Sequence, residues 1–319
     1  MLNWSCGPSR TRFATSGQTR QPSLTWRLTM AKYVPDITSN RWVIFAETRS
    51  RRPREAPTGV NVNKICVFCP GFEKLPGEEI YRIGAGAPNE RGWQVRVIKN
   101  KYPITDFHEV IIHSPDDAKD FDQLPLSHVG LILKAYRDRF NANLPNGQVI
   151  IFNNVGEVAG ASLNHPHSQL VVVPKQINLD TLKFEAVVNV VEENNRFVTF
   201  CPNFSQWPFE VWIAPKRRNE LFGDLPDDDL VDLAQVLQKS LRRLLSHLAS
   251  RSHDHPGVPV VTFKHGPGYN FYIYHGRDWY LRIVPRLVHR AGFELGTGLS
   301  VNIVAPEDAA EALKAEKVE

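Results

Sequence analysis

Hydrophobic positions along the chain follow two periods. Short runs predict strands: Arg41-Trp42-Val43-Ile44-Phe45-Ala46, Val95-Arg96-Val97-Ile98, Glu109-Val110-Ile111-Ile112 and Val149-Ile150-Ile151-Phe152. Leu170-Val171-Val172-Val173 and Phe209 to Pro215 read the same way, as do Val258 to Phe263, Phe271 to Tyr274 and Tyr280 to Val284. A helix is predicted around Leu131 to Phe140. A longer one is marked by Leu230, Leu233, Ala234, Leu237, Leu241, Leu244, Leu245 and Leu248, which share one helical face. Asp227, Asp228 and Asp229 open that helix, and Arg242 and Arg243 lie late in it, as the helix dipole favours.

The order of these elements repeats. Phe209-Glu210-Val211-Trp212-Ile213-Ala214-Pro215 echoes His108-Glu109-Val110-Ile111-Ile112-His113-Ser114-Pro115. Phe222-Gly223-Asp224-Leu225-Pro226 echoes Phe121-Asp122-Gln123-Leu124-Pro125. Each half then runs helix, strand, turn and a strand ending in proline, Pro174 or Pro285. This predicts a duplicated α+β unit with antiparallel sheets and packed helices.

Composition narrows the class. A hydrophobic content of 42% over 319 residues supports a sizeable core. No apolar run approaches the roughly 20 residues of a membrane span. Cys6, Cys66, Cys69 and Cys201 are too few and too uneven for a disulfide scaffold, so a reducing, cytoplasmic setting is expected. The net charge of +4 is accounted for by Arg10, Arg12, Arg20 and Arg27, in a stretch with no Asp, Glu or Lys. That asymmetry gives no argument for nucleic-acid binding. Residues 1–29 lack a secretory h-region and have some character of a transit peptide. Because recognisable pattern starts just after Met30, they are expected to be a disordered or mis-annotated extension.

The chemistry concentrates at His165-Pro166-His167-Ser168-Gln169, which follows Gly156-Glu157-Val158-Ala159-Gly160-Ala161-Ser162. Residues two apart on a strand share a face, so both imidazoles can address one small target. Imidazole is partly neutral, and so nucleophilic, near neutral pH. Glycines let backbone N–H groups approach an anion closely. The stretch therefore predicts a nucleophile beside a phosphate cradle. Cys66-Val67-Phe68-Cys69 has metal-ligand spacing, with a redox pair or two packed thiols as the other readings.

Taken in order, RRPR (residues 51–54), CxxC, NKYP (residues 100–103), the turn into HPHSQL, the PFE strand and Gly292-Phe293-Glu294-Leu295-Gly296-Thr297-Gly298 resemble the galactose-1-phosphate uridylyltransferase family of the histidine-triad superfamily. The last motif is similar to that of the ADP-glucose phosphorylase branch. The likeness implies two histidine-triad-like halves, 30–174 with the nucleophile and 175–319 without one. It implies a nucleotidyltransferase of carbohydrate and galactose metabolism, moving a nucleoside monophosphate between a nucleotide sugar and a sugar 1-phosphate, or to phosphate. His167 matches the covalent nucleophile, Gln169 a donor to the phosphoryl oxygens, and Ser162 a phosphate-binding serine. Arg49 and Arg52 match arginines near the phosphates, Asn100 and Asn154 positions near the nucleoside, and Glu294 a carboxylate that holds sugar hydroxyls. The family also implies structural zinc on Cys66, Cys69 and His165. The fourth ligand is Asp117, where relatives carry His, or the nearby His113. Homodimers are the family's usual state. Transfer to water, as in a histidine-triad hydrolase, and nucleotide binding without catalysis are the alternatives. At Asp278-Trp279-Tyr280, with Arg282 beyond, a second metal site of some relatives is expected to be lost.

Overall fold

The computed structural model describes residues 31–36, 41–51, 66–179, 186–254, 262–263 and 266–318. The expectation for residues 1–29 lies outside these residues, and so does Arg52. In chain order the strands of the first part are β1 (Lys32–Asp36), β2 (Arg41–Phe45), β3 (Glu79–Gly84), β4 (Trp93–Lys99), β5 (His108–Ile112), β6 (Gln148–Val155) and β7 (His167–Val173). Those of the second are β8 (Val190–Glu193), β9 (Phe197–Phe200), β10 (Val211–Pro215), β11 (Thr262–Phe263), β12 (Gly266–Pro267), β13 (Tyr269–Ile273) and β14 (Leu281–Pro285). The helices are α1 (Leu126–Asn143), α2 (Asp227–Asp254), α3 (Gly292–Thr297) and α4 (Pro306–Ala315).

β1 and β2 form a separate hairpin, and β11 pairs with β12. Ten other strands make one antiparallel sheet in the order β3-β4-β5-β7-β6-β13-β14-β10-β9-β8. Read inward from either edge, the chain order is the same: two strands, a third, then the last strand of its half, then the next to last. The repeat seen in the sequence is thus a repeat of topology, joined where β6 pairs with β13.

Alternation along each strand sends side chains to opposite faces. On one face Val97, Ile111, Ile151, Leu170, Val211, Ile213, Phe271 and Leu281 pack against α1, α2 and α4. The leucine stripe of α2 lies here as predicted, with Leu233, Leu237, Leu241 and Leu244 fully buried. Two smaller clusters cover the opposite face, one around Phe68, Ile98, Val110 and Ile112, the other around Trp212, Tyr280 and Phe200.

The apparent echo of Glu109 in Glu210 is out of step by one residue. Glu109 points to the helices and pairs with Arg139 of α1, whereas Glu210 lies on the other face with Arg282 and Trp212. A shift of one residue exchanges the faces of a strand. α1 begins five residues before the predicted Leu131. Of the predicted strand Val258 to Phe263, Thr262–Phe263 is described.

Candidate active site

β7 runs between β5 and β6, so its first residues are held on both sides. Ile112 is opposite His167, Val110 opposite Gln169, and Asn153 opposite Ser168. His167 and Gln169 emerge on the face away from the helices. His167 is 7% exposed, and Phe68 packs edge-on against its ring at 5.3 Å. Nδ1 of His167 lies 2.8 Å from the His165 carbonyl oxygen. A carbonyl can only accept, so Nδ1 carries the proton and the neutral ring has its lone pair on Nε2.

Gln169 is held by a residue that sequence reasoning missed. The Ile104 amide donates to Nδ1 of His108, so His108 bears its proton on Nε2. That Nε2–H donates to Oε1 of Gln169 at 3.0 Å. The glutamine oxygen is thereby engaged, and its NH2 group has no hydrogen-bond partner among the described residues. The side chain is oriented as a donor on the His167 face. Asn100 receives the Tyr102 amide on Oδ1, and its Nδ2, a donor, lies 3.1 Å from the protonated His108 nitrogen as a contact and not a hydrogen bond. Nη1 of Arg49 donates to the Tyr102 carbonyl at 2.9 Å, which brings Arg49 to the turn at Asn100.

On β6, Asn154 shares the His167 face and accepts from Asn270 of β13 at 2.8 Å. Asn270 also donates to the Ala159 carbonyl, tying the glycine turn to the second half. That turn differs from the open cradle predicted. It closes into a 3₁₀ turn over Glu157–Ala159, with Gly156 at φ 84° and Gly160 left-handed at φ 83°. Amides of Ala159, Gly160 and Ala161 donate back to Gly156 and Glu157. A turn this tight consumes its own N–H groups, so these three are not offered to an anion. Ser162, half-buried, follows directly.

Cys66, Cys69 and His165 meet beside this site, with their ligand atoms within 4.8 Å of one another. Nε2 of His165 donates to the Ser114 carbonyl at 2.8 Å, which leaves the Nδ1 lone pair facing the sulfurs. Nδ1 stands 3.4 Å from Cys66 Sγ and 3.6 Å from Cys69 Sγ. Zinc bonds of about 2.3 Å to sulfur and 2.0–2.1 Å to nitrogen, at tetrahedral angles, would set those atoms roughly 3.5 Å apart. The donor set fits zinc in both chemistry and spacing.

Burial raises both thiols. For Cys66, hydrogen bonds with His165 and Cys69 outweigh it and bring the group below its ordinary value. For Cys69, burial and the neighbouring Cys66 and Asp117 add up, to about 12. Asp117 stands near enough to Cys69 to raise the thiol, but its carboxylate is not among the ligand atoms that lie within 4.8 Å of one another. His113 does not join the cluster. It faces the helices, with Nδ1 2.8 Å from Asp120 and Nε2 2.8 Å from Ser168 Oγ. Glu294 is also apart. It sits on α3, where Oε2 accepts the Ala291 amide of its own helix start.

The site joins a histidine with one committed nitrogen and a glutamine presented as donor, side by side on a two-halved antiparallel sheet. The profile described as "Galactose-1-phosphate uridyl transferase, N-terminal domain" matches residues 107–174. ADP-glucose phosphorylase of Arabidopsis thaliana is 31% identical, over 88% of this chain and 91% of that one. Galactose-1-phosphate uridylyltransferase of Thermotoga maritima is 23% identical, over 88% and 97%. The crystal structure of the Arabidopsis thaliana ADP-glucose phosphorylase with bound ADP-glucose superposes with a TM-score of 0.64 at 27% identity, covering 90% of this chain and all of that one. The chain belongs to the galactose-1-phosphate uridylyltransferase family.

Proposed function

We propose that His167 carries the nucleotidyl group during transfer. Its Nε2 lone pair attacks the α-phosphorus of a nucleotide sugar, a P–N bond forms, and the P–O bond to the sugar phosphate breaks. The electron pair leaves with sugar 1-phosphate. A phosphate oxygen of the acceptor then attacks the same phosphorus and the P–N bond breaks. Dividing one substitution into two in this way is covalent catalysis. The observation that carries the reading is the 2.8 Å bond from His167 Nδ1 to the His165 carbonyl. It fixes the reactive nitrogen, and its carbonyl dipole stabilises the cationic ring of the intermediate. Gln169 donates to the phosphoryl oxygens, and Ser162 and Arg49 bind the phosphates, with Arg52 of the same motif. Asn100 and Asn154 border the nucleoside.

The acceptor is a sugar 1-phosphate in the main reading. Inorganic phosphate is the second, favoured by the 31% identity to ADP-glucose phosphorylase over 88% of the chain. Zinc on Cys66, Cys69, His165 and Asp117 would be structural, bracing the start of β7. The halves 30–174 and 175–319 act as one unit with a single nucleophile, in a cytoplasmic homodimer. Exposed Phe293, Leu295, Leu299, Val301 and Ile303 support the dimer, since a second copy would cover them, and Glu294 in the same segment is the carboxylate for the sugar hydroxyls.

Nucleotide sugar labelled at the α-phosphorus tests the mechanism. Label should be trapped on the wild type and absent from His167→Gly. Discharge by glucose 1-phosphate or galactose 1-phosphate supports the main reading, and discharge by phosphate the second. Release by water alone, or tight binding with no trapped label, would refute transfer.

A further inference from the structure

Three arginines converge on Gln206 and Trp207, near the end of β14. Arg282 is neutralised: it forms a two-pronged pair with Glu210 through Nε at 2.7 Å and Nη2 at 2.8 Å. Glu210 is then fully used, because the Trp212 indole N–H and the Gln206 amide also donate to it. Arg286 and Arg290 have no carboxylate within ion-pair distance among the described residues. Both stack on Trp207 instead, at 4.7 Å and 5.5 Å from the ring centre. Arg290 donates to neutral acceptors, Gln206 Oε1 at 3.2 Å and Ser300 Oγ at 3.3 Å, and the Glu294 carboxylate feels its charge without forming an ion pair. Nε of Arg286 is buried without any partner.

Stacking of a guanidinium on an indole contributes about 0.5–2 kcal/mol. It does not remove the repulsion between two like charges on one ring. Burial and then the Arg290 charge hold Arg286 below its ordinary pKa, so the two guanidinium groups repel each other. A compact dianion relieves that repulsion, since planar guanidinium forks match phosphate oxygens.

The location adds to the case. Asn154, next to the strand start that bears His167, is opposite Asn270, and Asn270 is opposite Val284. The Arg286 amide, two residues on, donates to the Gly268 carbonyl. The arginine pair thus lies at the same end of the sheet as His167, three strands away, or roughly 15 Å at about 4.8 Å per strand.

We infer that Arg286 and Arg290, mounted on Trp207, form a second anion site that takes a phosphate group, either free or as a phosphomonoester. The test uses the full-length protein with arginine side chains labelled with ¹⁵N, and the Nε signals assigned from Arg286→Gln and Arg290→Gln. Inorganic phosphate and glucose 1-phosphate are titrated separately at constant ionic strength. Both Nε–H signals should move together and saturate. Each single substitution should weaken the site at least tenfold, judged on the remaining signal, and Trp207→Leu should weaken it while the chain stays folded. Tighter saturation by glucose 1-phosphate identifies a sugar phosphate as occupant, and equal or tighter saturation by phosphate identifies the free ion. Signals that stay still in both titrations, or that follow chloride equally, overturn the site. Signals that respond to protein concentration instead of phosphate assign the pair to a contact between copies, which also overturns it.

Discussion

His108 touches no part of the proposed transfer chemistry, yet the geometry assigns it a measurable share of the rate. Its Nε2–H is bonded to Gln169 Oε1 at 3.0 Å, and the two side chains are 4% and 3% exposed. With that bond in place the amide donates toward the phosphoryl group; without it the amide can rotate and present oxygen to an anion. His108→Phe keeps the ring shape and deletes the bond. A buried polar group left unpaired costs about 1–3 kcal/mol. If that cost falls on the transition state, kcat drops about 5- to 150-fold, with little change in KM. The Ile104 amide also loses its acceptor, so stability falls as well. A double-mutant cycle separates the effects. In a Gln169→Ala background, His108→Phe should lose most of its effect on nucleotidyl transfer, giving a coupling energy of about 1 kcal/mol or more. Initial rates of exchange at saturating nucleotide sugar provide the readout. Additive losses in the double variant would refute the claim that His108 acts through Gln169.

Three further outcomes follow from the same geometry. Elemental analysis should find zinc in the wild type and not in Cys66→Ser, and the substitution should lower the melting temperature while leaving the ratio of rates for different nucleotide sugars unchanged; a wild type without zinc refutes this. Arg282→Met strands Glu210 in the interior, a change that costs about 3–5 kcal/mol or roughly 6–20 °C in Tm; adding Glu210→Gln should restore part of the loss. Burial raises Glu79, but bonds from Arg82, Arg96 and the Asn89 amide outweigh it and hold the carboxyl below its ordinary value. A depressed carboxyl contributes stability above its unfolded pKa of about 4.3 and loses it as pH falls through the folded value. Denaturant midpoints should therefore drop more steeply below pH 5 in the wild type than in Glu79→Gln, and parallel slopes would contradict that reading.

Much of this was legible in the order of residues. Strong periods wrote out α2 and the strands around Ile111, Ile151 and Val172, and the repeat fixed the two-halved topology. HPHSQ reads as two histidines at the mouth of a strand aimed at one target, but His165 precedes β7 and turns to Cys66 and Cys69, which leaves His167 on the strand face. What escaped depended on pairing between distant strands. His108 orients Gln169 because β5 lies beside β7 with Val110 opposite Gln169, a register no local pattern encodes. His113 looked as eligible for metal as Asp117, being four residues away, until alternation sent it to the helix face with Asp120 and Ser168. The glycine turn looked open because sequence reveals conformational freedom but not that the freed amides close on their own carbonyls. β3 and β9 went unread for a simpler reason: runs of four to six residues with mixed polarity fall below the periodic signal.

Duplication gives the halves one topology, but their faces away from the helices differ. In the first half that face carries the His167 imidazole and the Gln169 amide at the start of β7. On the corresponding face of the second half, Tyr280 stacks on Trp212 at 3.9 Å and on Tyr274 at 5.1 Å, and Arg282 closes on Glu210 beneath Tyr272. Aromatic pairs of this kind contribute about 0.5–1.5 kcal/mol each beyond their buried area, and they pack β14 beside β13. β13 is the strand whose Asn270 grips both Asn154 and the carbonyl of Ala159. The second half therefore bears on the site from outside it: Asn270 holds both the strand beside β7 and the turn that leads to His167.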